Sequence, residues 1–247
     1  MRSPNRHNII TGTVSCVGLE DISLLSPQER RKRGIICYDS KRDSVLRVTN
    51  PDLPFLEEMR EICEMGFTHA VEAGPLTSRP MQGILLEIHD WMLHSDAIHR
   101  GYGQIMIPIQ KLVHGCYLSA DTLICIPEFK FVIRCASKHE EKCKELLCKH
   151  QAELIHFHAT TFSEMKAVIA ARHFLPWWHE TCEEMQAVTV TSISITLRKV
   201  CDGTVYEDSQ LRSLVSEIRR EVELPQEIPS PLDFLPELRK PQKSARK

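Results

Sequence analysis

The sequence lacks the short motifs that usually mark a reaction centre. No C-x-x-C pair, no G-x-x-x-x-G-K-[ST] phosphate loop, no G-x-G-x-x-G, no G-x-S-x-G elbow and no H-E-x-x-H helix occurs in the 247 residues. These absences argue against a paired-cysteine metal or redox site, a nucleotide-phosphate cradle, a serine hydrolase and a zinc protease. Surplus charge is missing too: 31 Lys+Arg face 33 Asp+Glu. The chain as a whole therefore exerts no pull toward nucleic acid or an anionic membrane, and any RNA contact has to come from a local patch. No run of about 18 apolar residues exists to span a bilayer, and residues 1–8 are polar where a signal peptide would have its apolar core. A cytoplasmic chain with no membrane partner is expected. Ten cysteines are present, among them Cys116, Cys125 and Cys135 in apolar runs and Cys63, Cys143, Cys148 and Cys182 in helical stretches. They read as free buried thiols in a reducing compartment.

Periodicity divides the remainder into two parts. In the first, residues 9–19 are apolar and β-branched and predict a strand. Ser26-Pro27 followed by QERRKR predicts a capped, short, basic helix, and 35–48 supports only a weak strand. The spacing of Phe55, Met59, Ile62, Cys63, Phe67 and Ala70 predicts an amphipathic helix closed at Gly74-Pro75. A buried strand at 83–93 follows, then a polar stretch, then a helix from about Pro108, since proline suits a first turn. Residues 1–126 thus form a split β-α-β domain of ribosomal-protein type.

The second part has a different order: strand 128–136, helix 139–151, strands 153–159 and 164–174, helix 177–187 and strand 189–200. This β-α-β-β-α-β succession predicts a ferredoxin-like domain over 127–205, with Pro127 at its boundary, and an α+β fold overall. Residues 206–247 are expected as a last helix and a mobile, basic tail.

Candidate chemistry is sparse. His156 and His158 share one face of a strand, with His173, His179 and Cys182 nearby in sequence. Their spacings match no familiar zinc pattern, so ordinary histidines on a sheet face are the simpler reading, and neither metal nor cofactor is expected. Trp177-Trp178 invites base stacking, but packing at the start of a helix explains it better. Arg30, Arg31, Lys32 and Arg33 form a patch suited to phosphate contacts, and equally to a solvated helix face.

Residues 93–104, LHSDAIHRGYGQ, fit the interior of a domain poorly. Two histidines, an aspartate and an arginine crowd into seven positions between a buried strand and a helix. Gly101 and Gly103 would permit the backbone angles of a tight tip, and Arg100 is a natural phosphate or base contact.

This stretch resembles the tip of the fourth domain of archaeal and eukaryotic elongation factor 2, L-H-x-D-A-I-H-R-G, which here is Leu93 to Gly101. SPNRHN at 3–8 is similar to the S-P-N-K-H-N at the entry to that domain. Gly66, Phe67, Gly74, Pro75 and Leu76 match further family positions, and the second part with its SPLDFL ending resembles the fifth domain and the carboxyl terminus. The resemblance implies a ribosome-binding module supporting tRNA/mRNA translocation at the decoding centre. It places His99 at the position converted to diphthamide, with His94, Ser95, Asp96, Arg100, Gly101 and Tyr102 as the RNA-contacting tip. It implies ribosomal RNA and the tRNA–mRNA pair as partners. GTP hydrolysis is then the work of family domains expected outside this chain, on a separate GTPase-containing chain if one exists, and no enzyme activity is expected here. A divergent paralogue that inhibits or serves ribosome assembly is the alternative. Tyr102, where the family carries Gly or Pro, and a second helix at 177–187 without the family's usual features are the departures that favour it.

Overall fold

β1 (Ile9–Cys16), β2 (Ile35–Asp39), β3 (Ser44–Val48) and β4 (Ile84–Met92) are the strands of the first sheet, which has the spatial order β1-β4-β3-β2. The structure is a computed structural model that describes residues 1–18, 22–120, 122–159, 162–185, 188–200 and 204–234, without the side chains of 156–159 and 199. The weak strand expected at 35–48 is a hairpin of two strands. β3 and β4 run parallel, with Val45 opposite Leu85, so the chain between them must cross over, and it does so as α2 (Leu56–Glu72).

Alternation in β4 buries Ile84, Leu86 and Ile88 on one face, where Phe67 of α2 and Ile105 and Ile109 of α3 (Tyr102–Ser119) join them in one core. Gly66 allows the two helices to meet closely. A Cβ there would stand 3.0 Å from the Met106 carbonyl oxygen and 3.1 Å from Ile109 Cβ. α3 begins six residues before Pro108, which sits buried inside the helix rather than opening it.

The short helix α1 (Pro27–Lys32) has the expected cap: Glu29 N–H donates to Ser26 Oγ at 3.3 Å, and Ser26 N–H donates to the Glu29 carboxylate at 2.9 Å. The bonds from Ser26 hold the Glu29 carboxyl below its ordinary range.

The carboxy-terminal helix returns to this first unit, which comprises Met1–Thr122 and the chain from Val205. The helix, α6 (Ser209–Glu221), buries Leu211, Val215 and Arg219, and the Arg219 guanidinium donates to the Pro75 and Leu76 carbonyls at 3.2 and 2.6 Å. That tie gives a structural reason for the Gly-Pro-Leu turn. Further on, Phe234 sets its ring edge-on to His114 at 5.6 Å. The basic tail, 239–247, lies outside the described residues.

The second unit, Leu123–Thr204, contains β5 (Cys125–Ala136), α4 (Glu140–Lys149), β6 (Glu153–Ala159), β7 (Phe162–Ala170), α5 (Ala171–Glu184) and β8 (Thr189–Lys199). Its all-antiparallel sheet has the order β6-β7-β5-β8, the ferredoxin-like arrangement expected. Pro127 lies within β5 and is tolerated because β7 pairs only from Glu128 onward. The strand expected at 164–174 ends at Ala170, and α5 runs through Pro176.

Trp177 is fully buried among Phe131, Phe174 and Trp178, which supports packing rather than base stacking. On the outer side Lys149 and His150 hydrogen-bond Glu180 and pull its carboxyl down to about 2.

All nine described cysteines are free, but the expectation that they are buried holds only in part. Cys37, Cys63, Cys135 and Cys143 are buried, and desolvation raises their thiol pKa values, to about 12 for Cys37, Cys63 and Cys143. Cys16, Cys125, Cys148 and Cys182 are exposed, since β-strands and amphipathic helices each turn one face to solvent.

Candidate functional site

The stretch between β4 and α3 is a projecting turn. Its floor is set by the first turn of α2. Phe55, in the left-handed region at φ 63°, precedes that helix and presents its ring to Arg100, whose guanidinium carbon lies 3.8 Å from the ring centroid. The Arg100 Nη2 donates to both carboxylate oxygens of Glu58, at 3.0 and 2.8 Å, a charge-assisted pair made through one nitrogen. The other Arg100 nitrogen donates back to the carbonyls of His94 and, at 2.6 Å, Ser95. Arg100 is only 4% exposed. The residue expected to contact RNA thus has its paired donors facing inward, where it staples the loop to the helix.

Asp96 is likewise occupied locally. Its carboxylate accepts from Ile98 N–H at 3.1 Å and caps a single 3-10 turn, Ala97–Arg100, while its own N–H donates to His94 Nδ1 at 3.0 Å. Gly101 adopts φ −62° and opens α3, and Gly103 lies inside that helix. Neither glycine has a positive φ and a Cβ at either would meet nothing within 4 Å, so neither supplies the special backbone angle expected of it. Tyr102 is the first residue of α3 and is half exposed.

What faces solvent at the tip is Ser95, Asp96, Ala97 and Ile98, with Ile98 82% exposed. A large apolar side chain held this far out on a capped turn is a feature the sequence alone did not single out.

Behind the tip stands the amino-terminal turn, whose role was also not foreseen. Asn8 is fully buried. Its Nδ2 donates to the His99 carbonyl at 2.7 Å, and its Oδ1 accepts from His94 N–H at 2.9 Å. Asn5 Nδ2 adds a bond to the same His99 carbonyl at 3.2 Å, and Asn5 N–H donates to Gln104 Oε1 at 2.9 Å. The available signal was the polar SPNRHN stretch placed directly before a strand. His99 is consequently half-buried, its ring 4.4 Å from that of His94 and 4.5 Å from that of His7, centroid to centroid.

The basic helix belongs to the same end of the unit. Arg31 pairs with Glu57 at 3.0 Å, one residue before the Glu58 that holds Arg100. Arg30 donates to the Ser23 carbonyl and lies over the Tyr38 ring, while Arg31, Lys32 and Arg33 are exposed. In the second unit, the side chains of His156 and His158 lie outside the described residues. His173 accepts from Arg172 at 3.1 Å, and His179 faces Glu183 at 3.4 Å on an exposed helix face.

Residues 52–121, which carry α2, β4, the tip and α3, match the family described as elongation factor G, domain IV. Elongation factor 2 of Pyrobaculum islandicum is 26% identical over 267 aligned residues, covering 95% of this chain and 34% of that protein. The factor of Pyrobaculum neutrophilum is 27% identical with the same coverage, and that of Natronomonas pharaonis 29% identical over 145 residues, 51% of this chain and 20% of that protein. The chain thus spans about a third of the length of the Pyrobaculum relatives. In fold, a crystal structure of a Thermus thermophilus protein superposes with a TM-score of 0.51 at 13% identity, covering 72% of this chain and 26% of that one. The chain is accordingly similar to about a third of archaeal elongation factor 2, and its residues 52–121 match domain IV of elongation factor G.

Proposed function

We propose that this chain is a ribosome-binding module of the elongation factor 2 kind, whose tip at 93–104 reaches structured RNA in the decoding centre and supports translocation of tRNA and mRNA. One observation carries the reading. Within the stretch matched to domain IV, Arg100 clamps the loop onto Glu58 and Phe55, so that Ser95 to Ile98 stand outward on a fixed base. A probe that must occupy space beside a codon–anticodon helix gains from being ordered before it arrives, because ordering it on binding would cost affinity. Arg31, Lys32 and Arg33 are positioned at the same end to meet phosphates. The exposed ion pair of Arg31 with Glu57 is weak enough to exchange for an RNA backbone. His99 is the proposed site of diphthamide formation. No GTP hydrolysis is assigned to these residues. In this reading the chain's place is the cytoplasm, and none of its described helices is long and apolar enough to cross a membrane.

A second reading, a paralogue that occupies the ribosome or an assembly intermediate without driving movement, draws support from the His99 ring. That ring is packed against two other imidazoles rather than presented at the apex.

Sucrose-gradient sedimentation with purified ribosomes tests the first reading. Co-migration is expected, weakening as salt rises and weakening further when Arg31, Lys32 and Arg33 are changed to glutamate. Intact-mass analysis of the native chain is expected to show an adduct on His99. Sedimentation with ribosomes but an unmodified His99 favours the second reading. No co-migration at low salt overturns the first, and no co-migration with pre-ribosomal particles from a cell extract either overturns the second.

A further inference from the structure

Three imidazoles converge at the base of the tip. His7 comes from the amino-terminal turn, His94 from the exit of β4 and His99 from the 3-10 turn, with ring centroids 4.4 to 5.1 Å apart. One ring nitrogen of each lies within 4.8 Å of those of the other two, the only such group of three potential ligands among the described residues. Neither a core nor a solvated face requires this. Three polar rings gathered at a partly exposed position gain little from packing.

Their backbones are already fixed. The Asn8 amide bridges the His94 N–H and the His99 carbonyl, and Arg100 holds the His94 carbonyl. His94 Nδ1 accepts the Asp96 N–H at 3.0 Å, which leaves Nε2 as its ligating atom and fixes the ring's orientation. A tetrahedral zinc with Zn–N bonds of about 2.0–2.1 Å needs nitrogens roughly 3.3 Å apart. The three nitrogens lie within 4.8 Å of one another, so the longest separation exceeds that spacing by about 1.5 Å at most. Rotation of the exposed His7 side chain shortens its distances to the other two, and rotation of the half-buried His99 ring shortens the remaining one. Imidazole donors select zinc and its neighbours over magnesium or calcium, which prefer oxygen.

We propose that His7, His94 and His99 form a Zn²⁺ site that ties the amino-terminal turn to the tip, with a fourth position open to solvent or an external oxygen ligand. The proposal stands apart from the ribosomal reading, since it rests on the three side chains and their scaffold alone. It carries one consequence for that reading: zinc on the His99 ring and an enzyme acting on the same ring compete.

The test uses the full chain, freed of metal by chelator and titrated with zinc chloride by calorimetry, with cobalt(II) as a spectroscopic stand-in. One ion per chain is expected, with the visible bands of tetrahedral cobalt. His7→Ala, at an exposed position, is expected to weaken zinc binding by about 100-fold, as is His94→Ala, whereas His179→Ala on the second unit leaves it unchanged. A loss of less than about tenfold in His7→Ala, or no stoichiometric zinc in the unaltered chain, overturns the site. Should His94→Ala fail to fold, His7→Ala still decides the matter.

Discussion

Replacing Arg100 with alanine is expected to destabilise the first unit by about 3 kcal/mol and to release the tip. The magnitude follows from what the guanidinium touches. Its ion pair with Glu58 is half open to water, the Glu58 side chain being 44% exposed, so charge attraction alone contributes little. The larger part comes from the two loop carbonyls, His94 and Ser95, which lose a charged donor, and from the stacking on Phe55. Glu58→Gln keeps an acceptor in place and should cost only about 1 kcal/mol. Arg100→Lys should fall between the two, because an ammonium cannot reach the carboxylate and both carbonyls in one plane. Urea unfolding gives the order, and amide exchange at residues 94–101 reports whether the loop has come free. Unchanged exchange in Arg100→Ala would mean that the loop is held by something else.

Trp177→Ala should have the larger effect on stability, about 4 kcal/mol, and in the second unit. The indole is wholly buried beside Phe131 and Phe174, at centroid separations of 4.9 and 5.7 Å, in a unit of roughly eighty residues whose core has few other side chains of that size. Its Nε1 finds no acceptor among the described residues. Trp177→Phe removes that unsatisfied donor while keeping most of the ring, and is expected to stay within about 1 kcal/mol of the parent. Equal losses for the two variants in denaturant titrations would mean that the indole nitrogen is bonded and the packing argument misplaced.

Elements whose periodicity ran over many residues were legible in the sequence. α2 and β4 sit where the spacing of Phe67 and the alternation of Ile84, Leu86 and Ile88 place them, and the ferredoxin-like order of the second unit follows from its element succession. Both misplaced helix starts have one cause. Pro108 reads as a helix start and the helix expected at 177–187 begins just after Pro176, yet each proline lies inside a helix. A helix tolerates one missing N–H when burial of its apolar face outweighs the loss, as Ile105 and Ile109 on either side of Pro108 show. The start of the tip at Leu93 was legible, but its end, where α3 begins at Tyr102, and the direction of its arginine were not. Arg100 and Glu58 stand 42 residues apart, and Asn8 meets His99 across 91. A local pattern shows that a charge is present; only the fold shows what it faces. For the same reason the histidine of SPNRHN could not be joined to the two at the tip.

Position 98 offers the most direct test of the central claim, that the outward face of the tip meets RNA. A photoreactive amino acid placed there, in the full chain with Arg100 and Glu58 intact, should on illumination with translating ribosomes form adducts with small-subunit RNA at the decoding centre. The same probe at the solvent face of α4, such as Lys142, should not. Adducts confined to protein, or identical patterns from the two positions, would contradict the account.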